Sequence, residues 1–156
     1  MMNDAFMSRA IELSIENVRS GHGGPFGAVI IRDGAIVAEG VNRVTERNDP
    51  TAHAEMVGIR ATCSKLATFD LKGCEIYVSC EPCPMCLGAI YWARIDRIYF
   101  AGLASDASDA GFDDSIIYRE LALPRGERRI PMIPLMRQKA LEAFHLWKAK
   151  PDKIAY

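Results

Sequence analysis

The stretch EIYVSCEPCPMCLGAIYWARIDRIYFAGL (residues 75–103) decides how this chain folds. EIYVSC (75–80) is a short run of β-favouring residues, PMCLGAIYWAR (84–94) reads as an apolar helix, and RIYFAGL (97–103) as a buried-type strand. A strand, a helix and a strand in succession favour parallel pairing, because a parallel pair needs a crossover and the helix supplies it. Between the first strand and the helix lie Cys80, Cys83 and Cys86, each separated from the next by two residues. Thiols at that spacing can form a redox pair, grip a metal or fill a core. The strand–helix break separates the candidates. Cys80 closes the strand, whereas Pro84 suits the first turn of a helix that carries Cys86 and has Cys83 beside it. Cys83 and Cys86, at i and i+3, then lie on one side of that helix start. Unsatisfied amides and the positive end of the helix dipole favour thiolates there.

Working outward, residues 4–19 repeat apolar positions at helical spacing (Met7, Ile11 and Ile15, with Ala10 and Val18), and Asn3 or Asp4 can cap them. PFGAVIIR (25–32) and AIVAEGVN (35–42) flank Asp33-Gly34, a strong hairpin signal. Asp49-Pro50 opens TAHAEMVGIRATCSKL (51–66), a helix with Ala52, Met56, Ile59 and Cys63 on one face. SDASDAGFDDS (105–115) reads as a loop, SIIYREL (115–121) as a helix, IPMIPL (130–135) as a Pro-limited edge strand and 135–149 as a terminal helix. The expected fold class is α/β: one mixed sheet of about five strands covered by helices, in a single domain spanning 1–156.

At 156 residues such a domain buries roughly two-thirds of its unfolded surface. The chain is 49% hydrophobic and 25% charged, with no apolar run near the roughly 20 residues of a membrane span. MMNDAFMSRAIELS lacks the basic start and apolar block of a signal peptide, so a cytoplasmic setting is expected. Five cysteines, an odd number, argue against a disulfide framework. A net charge of −1 gives no global field to gather nucleic acid. The basic bias of the last third (Arg125, Arg128, Arg129, Arg137, Lys139, Lys148, Lys150) reads as a solvated face.

His53-Ala54-Glu55 precedes Pro82-Cys83-Pro84-Met85-Cys86 by some thirty residues. Two thiolates and an imidazole fill three corners of a zinc tetrahedron and leave the fourth for water, as catalytic zinc requires. Glu55 is the carboxylate suited to moving protons beside it. Residues i and i+2 of a helix lie about 200° apart, so His53 and Glu55 can both reach a metal only beyond a helix N-terminus. The pattern H-x-E…P-C-x-x-C is the signature of zinc nucleobase deaminases.

With GGPFGAVI (23–30), NDPTAHAE (48–55), SCEPCPMCLGAIYWAR (79–94) and AGFDDSIIY (110–118), nearly the whole chain resembles the cytidine-deaminase-like zinc hydrolases. GGPFG, AGFDDS and Tyr156 resemble the small bacterial guanine-acting branch. The resemblance implies a three-layer α/β/α fold and one zinc ion per subunit on His53, Cys83 and Cys86, with Glu55 as proton shuttle. It implies a guanine ring held against Phe26 and His53 and contacted by Asn42, Ala54, Asp114 and Tyr156. It further implies a homodimer in which a C-terminal segment, about 120–156, can cross to the partner. The activity implied is hydrolytic deamination of guanine to xanthine and ammonia. Two other readings compete. One is a tRNA adenosine deaminase, which shares DPTAHAE and EPCxxC and predicts a basic groove. The other is a non-catalytic zinc scaffold, which would tolerate loss of Glu55. His22 is expected to be exposed, His145 structural and Cys80 a spectator.

Overall fold

Asn3 starts the first helix. Its side chain accepts the Ala5 amide at 3.0 Å, capping α1 (Asp4–Arg19). The computed structural model describes residues 3–156, which form two compact units, one ending at Asp114 and one running from Ser115 to Tyr156.

In the first unit, β1 (Gly27–Arg32) and β2 (Ala35–Val41) form the expected antiparallel hairpin. Asp33 and Gly34 both take positive φ, 52° and 76°, as a two-residue turn matched to strand twist demands. There follow α2 (Val44–Arg47), α3 (Ala54–Leu66), β3 (Cys74–Cys80), α4 (Pro84–Trp92), β4 (Arg97–Gly102) and α5 (Ala104–Asp109). The sheet order is β2-β1-β3-β4, with β1 antiparallel to β3, and β3 parallel to β4 from Glu75↔Arg97 to Cys80↔Gly102. The strand–helix–strand passage therefore pairs as its sequence requires.

Alternation along β1 builds the layers. Ala28 and Ile30 join Ile76, Val78, Ile59 and Ile90 on the face covered by α3 and α4. Val29 and Ile31 join Tyr77, Ala10 and Leu13 on the opposite face, under α1. Two glycines make the layers close. A Cβ on Gly27 would overlap the Ala10 carbonyl, and one on Gly40 would overlap the Ala54 carbonyl and reach the Gly58 amide. Gly40 thus lets β2 press against the first turn of α3.

Several expectations are corrected. The sheet has four strands among the described residues, not about five: residues 130–135 form none, since Pro131 and Pro134 lack the N–H groups a ladder uses. The helix expected from Asp49-Pro50 begins later, at Ala54. The Asp49 carboxylate accepts the Thr51 amide (2.8 Å) and hydroxyl (2.6 Å), a local turn that competes with helical bonding. Part of 105–115 is helical: the Asp106 carboxylate accepts the Leu103 amide at 2.8 Å, starting α5, and Gly111 (φ 94°) lies just past its end. On α1, Ala10, Leu13, Ser14 and Asn17 are buried, while Ile15 and Val18 are 44% and 52% exposed. The small side of that helix faces the sheet because Gly27 admits a close approach there.

The second unit contains α6 (Ser115–Ala122), a 3₁₀ turn (Arg125–Glu127) and α7 (Arg137–Ala149). The Arg129 amide donates to the Glu120 carboxylate (2.7 Å) and Arg128 Nε to the Leu123 carbonyl (3.1 Å). No described helix is long and apolar enough to cross a membrane.

Candidate active site

His53 and Cys83 are the N-cap residues of α3 and α4, with extended backbones (φ −69°, ψ 159° and φ −66°, ψ 167°). Neither side chain caps its own helix, so each is available to project beyond the helix start. Pro84 occupies the first turn of α4, as read from sequence, and Cys86 lies buried in that turn. Glu55 sits in the first turn of α3, which resolves the i, i+2 problem: His53 is not in the helix at all.

The imidazole Nδ1 of His53 lies 3.5 Å from Sγ of Cys83 and 3.5 Å from Sγ of Cys86, and the three donor atoms all lie within 4.8 Å of one another. Zinc–sulfur bonds of about 2.3 Å and zinc–nitrogen bonds of about 2.0–2.1 Å at a tetrahedral angle place S and N about 3.6 Å apart. The donor set therefore fits a zinc ion in both chemistry and spacing. Cys83 is the acidic thiol, held down to about 4 by the Cys86 thiol first, then by the His53 imidazole and the Cys86 amide. Cys86 is pushed up by its bond to Cys83 and by burial. The bond to Cys83 also raises His53.

Glu55 is buried, and desolvation, then the nearby Cys83 charge, pushes its carboxyl upward. A carboxyl so placed is suited to hold a proton and release it. Cys80 stands outside the donor set, its Sγ 3.5 Å from the Leu103 carbonyl. His22 and His145 are exposed and outside it too, and His22 Nδ1 meets the Ser20 hydroxyl at 2.9 Å.

The other expected residues divide. Phe26 is half-buried and meets Phe112 edge to face at 5.0 Å between ring centres. Ala54 is buried at the start of α3. Asp114 is half-buried, raised by desolvation and then by the Cys83 charge, so it lies within electrostatic reach of Cys83. Tyr156, 72% exposed, belongs to the second unit. Asn42 is buried, and its Oδ1 accepts the amides of Gly24 (3.4 Å) and Val44 (3.3 Å). An asparagine offers both donor and acceptor, but here the acceptor is taken by the backbone, and the NH₂ end is what it can present. Asn17, a buried residue of α1 bonded to the loops around Asn42, was not read as a site residue; a lone helical asparagine carries no pattern.

Comparison with known proteins agrees with this site. Residues 1–102 match the cytidine and deoxycytidylate deaminase zinc-binding region. A guanine deaminase of Bacillus subtilis (strain 168) is 51% identical over 156 residues, all of both chains. The X-ray structure of guanine deaminase from Bacillus subtilis superposes with a TM-score of 0.96 at 51% identity, covering 100% of this chain and 99% of that one. A tRNA-specific adenosine deaminase of Aquifex aeolicus is 47% identical, but over 79 residues only, 51% of this chain and 52% of that protein. With the His–Cys–Cys donor set at zinc spacing and a buried glutamate beside it, the chain belongs to the zinc-binding cytidine and deoxycytidylate deaminase family.

Proposed function

We infer that the chain deaminates guanine, releasing ammonia and leaving xanthine. One observation carries this reading: the whole-chain match to a guanine deaminase includes the C-terminal third, whereas the tRNA deaminase match covers about half of the chain. His53, Cys83 and Cys86 would hold one zinc ion per subunit. A bound zinc ion supplies Lewis-acid activation of water at neutral pH. Glu55 takes one proton from the water that adds to C2 and delivers it to ring N3; it then carries the remaining proton of the new C2 hydroxyl to the C2 amine, and the C2–N bond breaks as the C2 carbonyl forms, so guanine plus water becomes xanthine plus ammonia. Phe26 and His53 flank the ring. The Asn42 NH₂ donates to an acceptor on the purine edge, such as O6, and Asp114 accepts from its N–H groups. A pocket that pairs these groups rejects bases lacking them, because its own buried polar atoms are then left without partners.

The same reading makes the enzyme a cytoplasmic homodimer of purine catabolism or salvage. Each subunit's C-terminal segment crosses over, so that Tyr156 reaches the partner's base. Exposed apolar side chains of the second unit, including Ile133 and Leu135 at 83% each, support an association that covers them. Ammonia release from guanine, cytidine, adenosine and an anticodon stem-loop tests the substrate. Guanine alone should react, and silence with guanine sinks the reading. Glu55→Ala should lower turnover by about a thousandfold or more with zinc content unchanged. Mixing Glu55→Ala chains with chains lacking Tyr156 should restore activity only if the segments cross.

A further inference from the structure

Asn17 sits in the last turn of α1, 3% exposed, and makes none of its side-chain bonds within that helix. Its Nδ2 donates to the Gly24 carbonyl at 2.9 Å and to the Asn42 carbonyl at 3.0 Å, one bond for each of its two hydrogens. Its Oδ1 accepts from Arg43 Nη1 at 3.4 Å. Gly24 and Asn42 belong to the two segments that carry Phe26 and the Asn42 amide. Those segments are also tied to each other: the Asn42 amide donates to the Phe26 carbonyl at 3.1 Å, and the Gly24 amide to Asn42 Oδ1 at 3.4 Å. The Gly24 carbonyl also accepts the Phe26 amide at 2.9 Å, so the atom that Asn17 grips helps set the Phe26 backbone. Space at this junction is tight, since a Cβ on Gly23 would overlap the Asn42 carbonyl and stand 3.0 Å from Asn17 Nδ2.

We propose that Asn17 is a positioning residue for purine recognition, fixing from beneath the two loops that present Phe26 and the Asn42 NH₂ to the base. No other side-chain type of that size donates two hydrogen bonds from one planar nitrogen while also accepting one. An aspartate would set carboxylate oxygens against two carbonyls, and an alanine would leave the Asn42 carbonyl without its buried donor. The inference rests on the reading of Asn42 as a base contact and adds a residue that never touches the base.

The test compares Asn17→Ala, Asn42→Ala and the double variant in the zinc-loaded full chain. Asn17→Ala should raise KM for guanine about tenfold with kcat within about threefold, the mark of lost uniform binding. The Kd for xanthine, measured by calorimetry, should rise by the same factor. The double variant should lose less than the product of the two single losses, because part of what Asn17 does is to set the Asn42 amide, the rest passing through Phe26. Asn17→Ser, a milder change that keeps one donor, should raise KM about threefold and decides the matter if the alanine variant does not fold. A KM that Asn42→Ala changes but neither Asn17 variant does overturns the inference alone. A KM that Asn42→Ala leaves unchanged overturns the reading of Asn42, and the inference with it. Losses that multiply in the double variant overturn the positioning role.

Discussion

The two units handle apolar side chains in opposite ways. Up to Asp114, the sheet faces are lined by residues with almost no exposure, such as Ile30, Ile76, Val78 and Tyr77, and helices press on both sides. From Ser115 onward no residue of the helices is buried, and Ile130, Ile133, Leu135, Phe144 and Leu146 are all exposed. The first unit therefore holds its own core, and it also holds the His53, Cys83 and Cys86 donor set and Glu55. The second carries its large apolar side chains exposed. A chain can thus bury its candidate site within one region and carry exposed apolar side chains in another.

Gly40→Ala strikes at the tightest of the glycine approaches in the first unit. Its Cβ would overlap the Ala54 carbonyl next to His53 and Glu55. We expect a loss of about 3 kcal/mol by urea denaturation, as overpacking against backbone costs, together with weaker zinc retention. A stable, fully loaded Gly40→Ala protein would show that the start of α3 is not set by this approach. The second unit should answer differently. Ile133→Asp with Leu135→Asp should halve the mass seen by light scattering while shifting the stability of the first unit by no more than about 0.5 kcal/mol. A dimer unaffected by both charges would move the association elsewhere.

The smallest effect concerns the surface of the first unit. Arg9 Nε and Nη2 donate to the Glu39 carboxylate at 2.7 and 3.0 Å, and this pairing lowers the Glu39 carboxyl from its ordinary 4.5. Because the folded value lies below the unfolded one, the contribution is present above about pH 4.5 and is lost as pH falls through the folded value. Each side chain is 34% exposed, so screening limits the pair to under about 1 kcal/mol. Glu39→Gln should lower the denaturation midpoint slightly at pH 7, and the difference should shrink as the pH falls below 4.5 through the folded value.

Legibility followed the range of the interactions involved. The hairpin at Asp33-Gly34 and the β3–α4–β4 passage were readable because turn chemistry and helix starts are local. The closeness of His53, Cys83 and Cys86 was readable for the same reason: each sits at a helix start marked by its neighbours. The apolar spacing of Met7, Ile11 and Ile15, with Ala10 and Val18, gave the helix but not its buried side, because an apolar face has the same period whether it meets its own sheet or something else. IPMIPL misled likewise, since its apolar residues look like a strand and lie exposed instead. Asn17 and the orientation of Asn42 left no trace in spacing, because both are set by carbonyls and amides brought together only by the fold.

The placement of His53 and Cys83 at separate helix starts has a mechanical side. An ion gripped by both closes a chain loop of 30 residues, as a disulfide between those positions would. Chain-entropy reasoning gives such a closure about 3–4 kcal/mol against the unfolded ensemble. A zinc ion held there would also be a clasp, and chelating it should loosen the start of α3 and the start of α4 together.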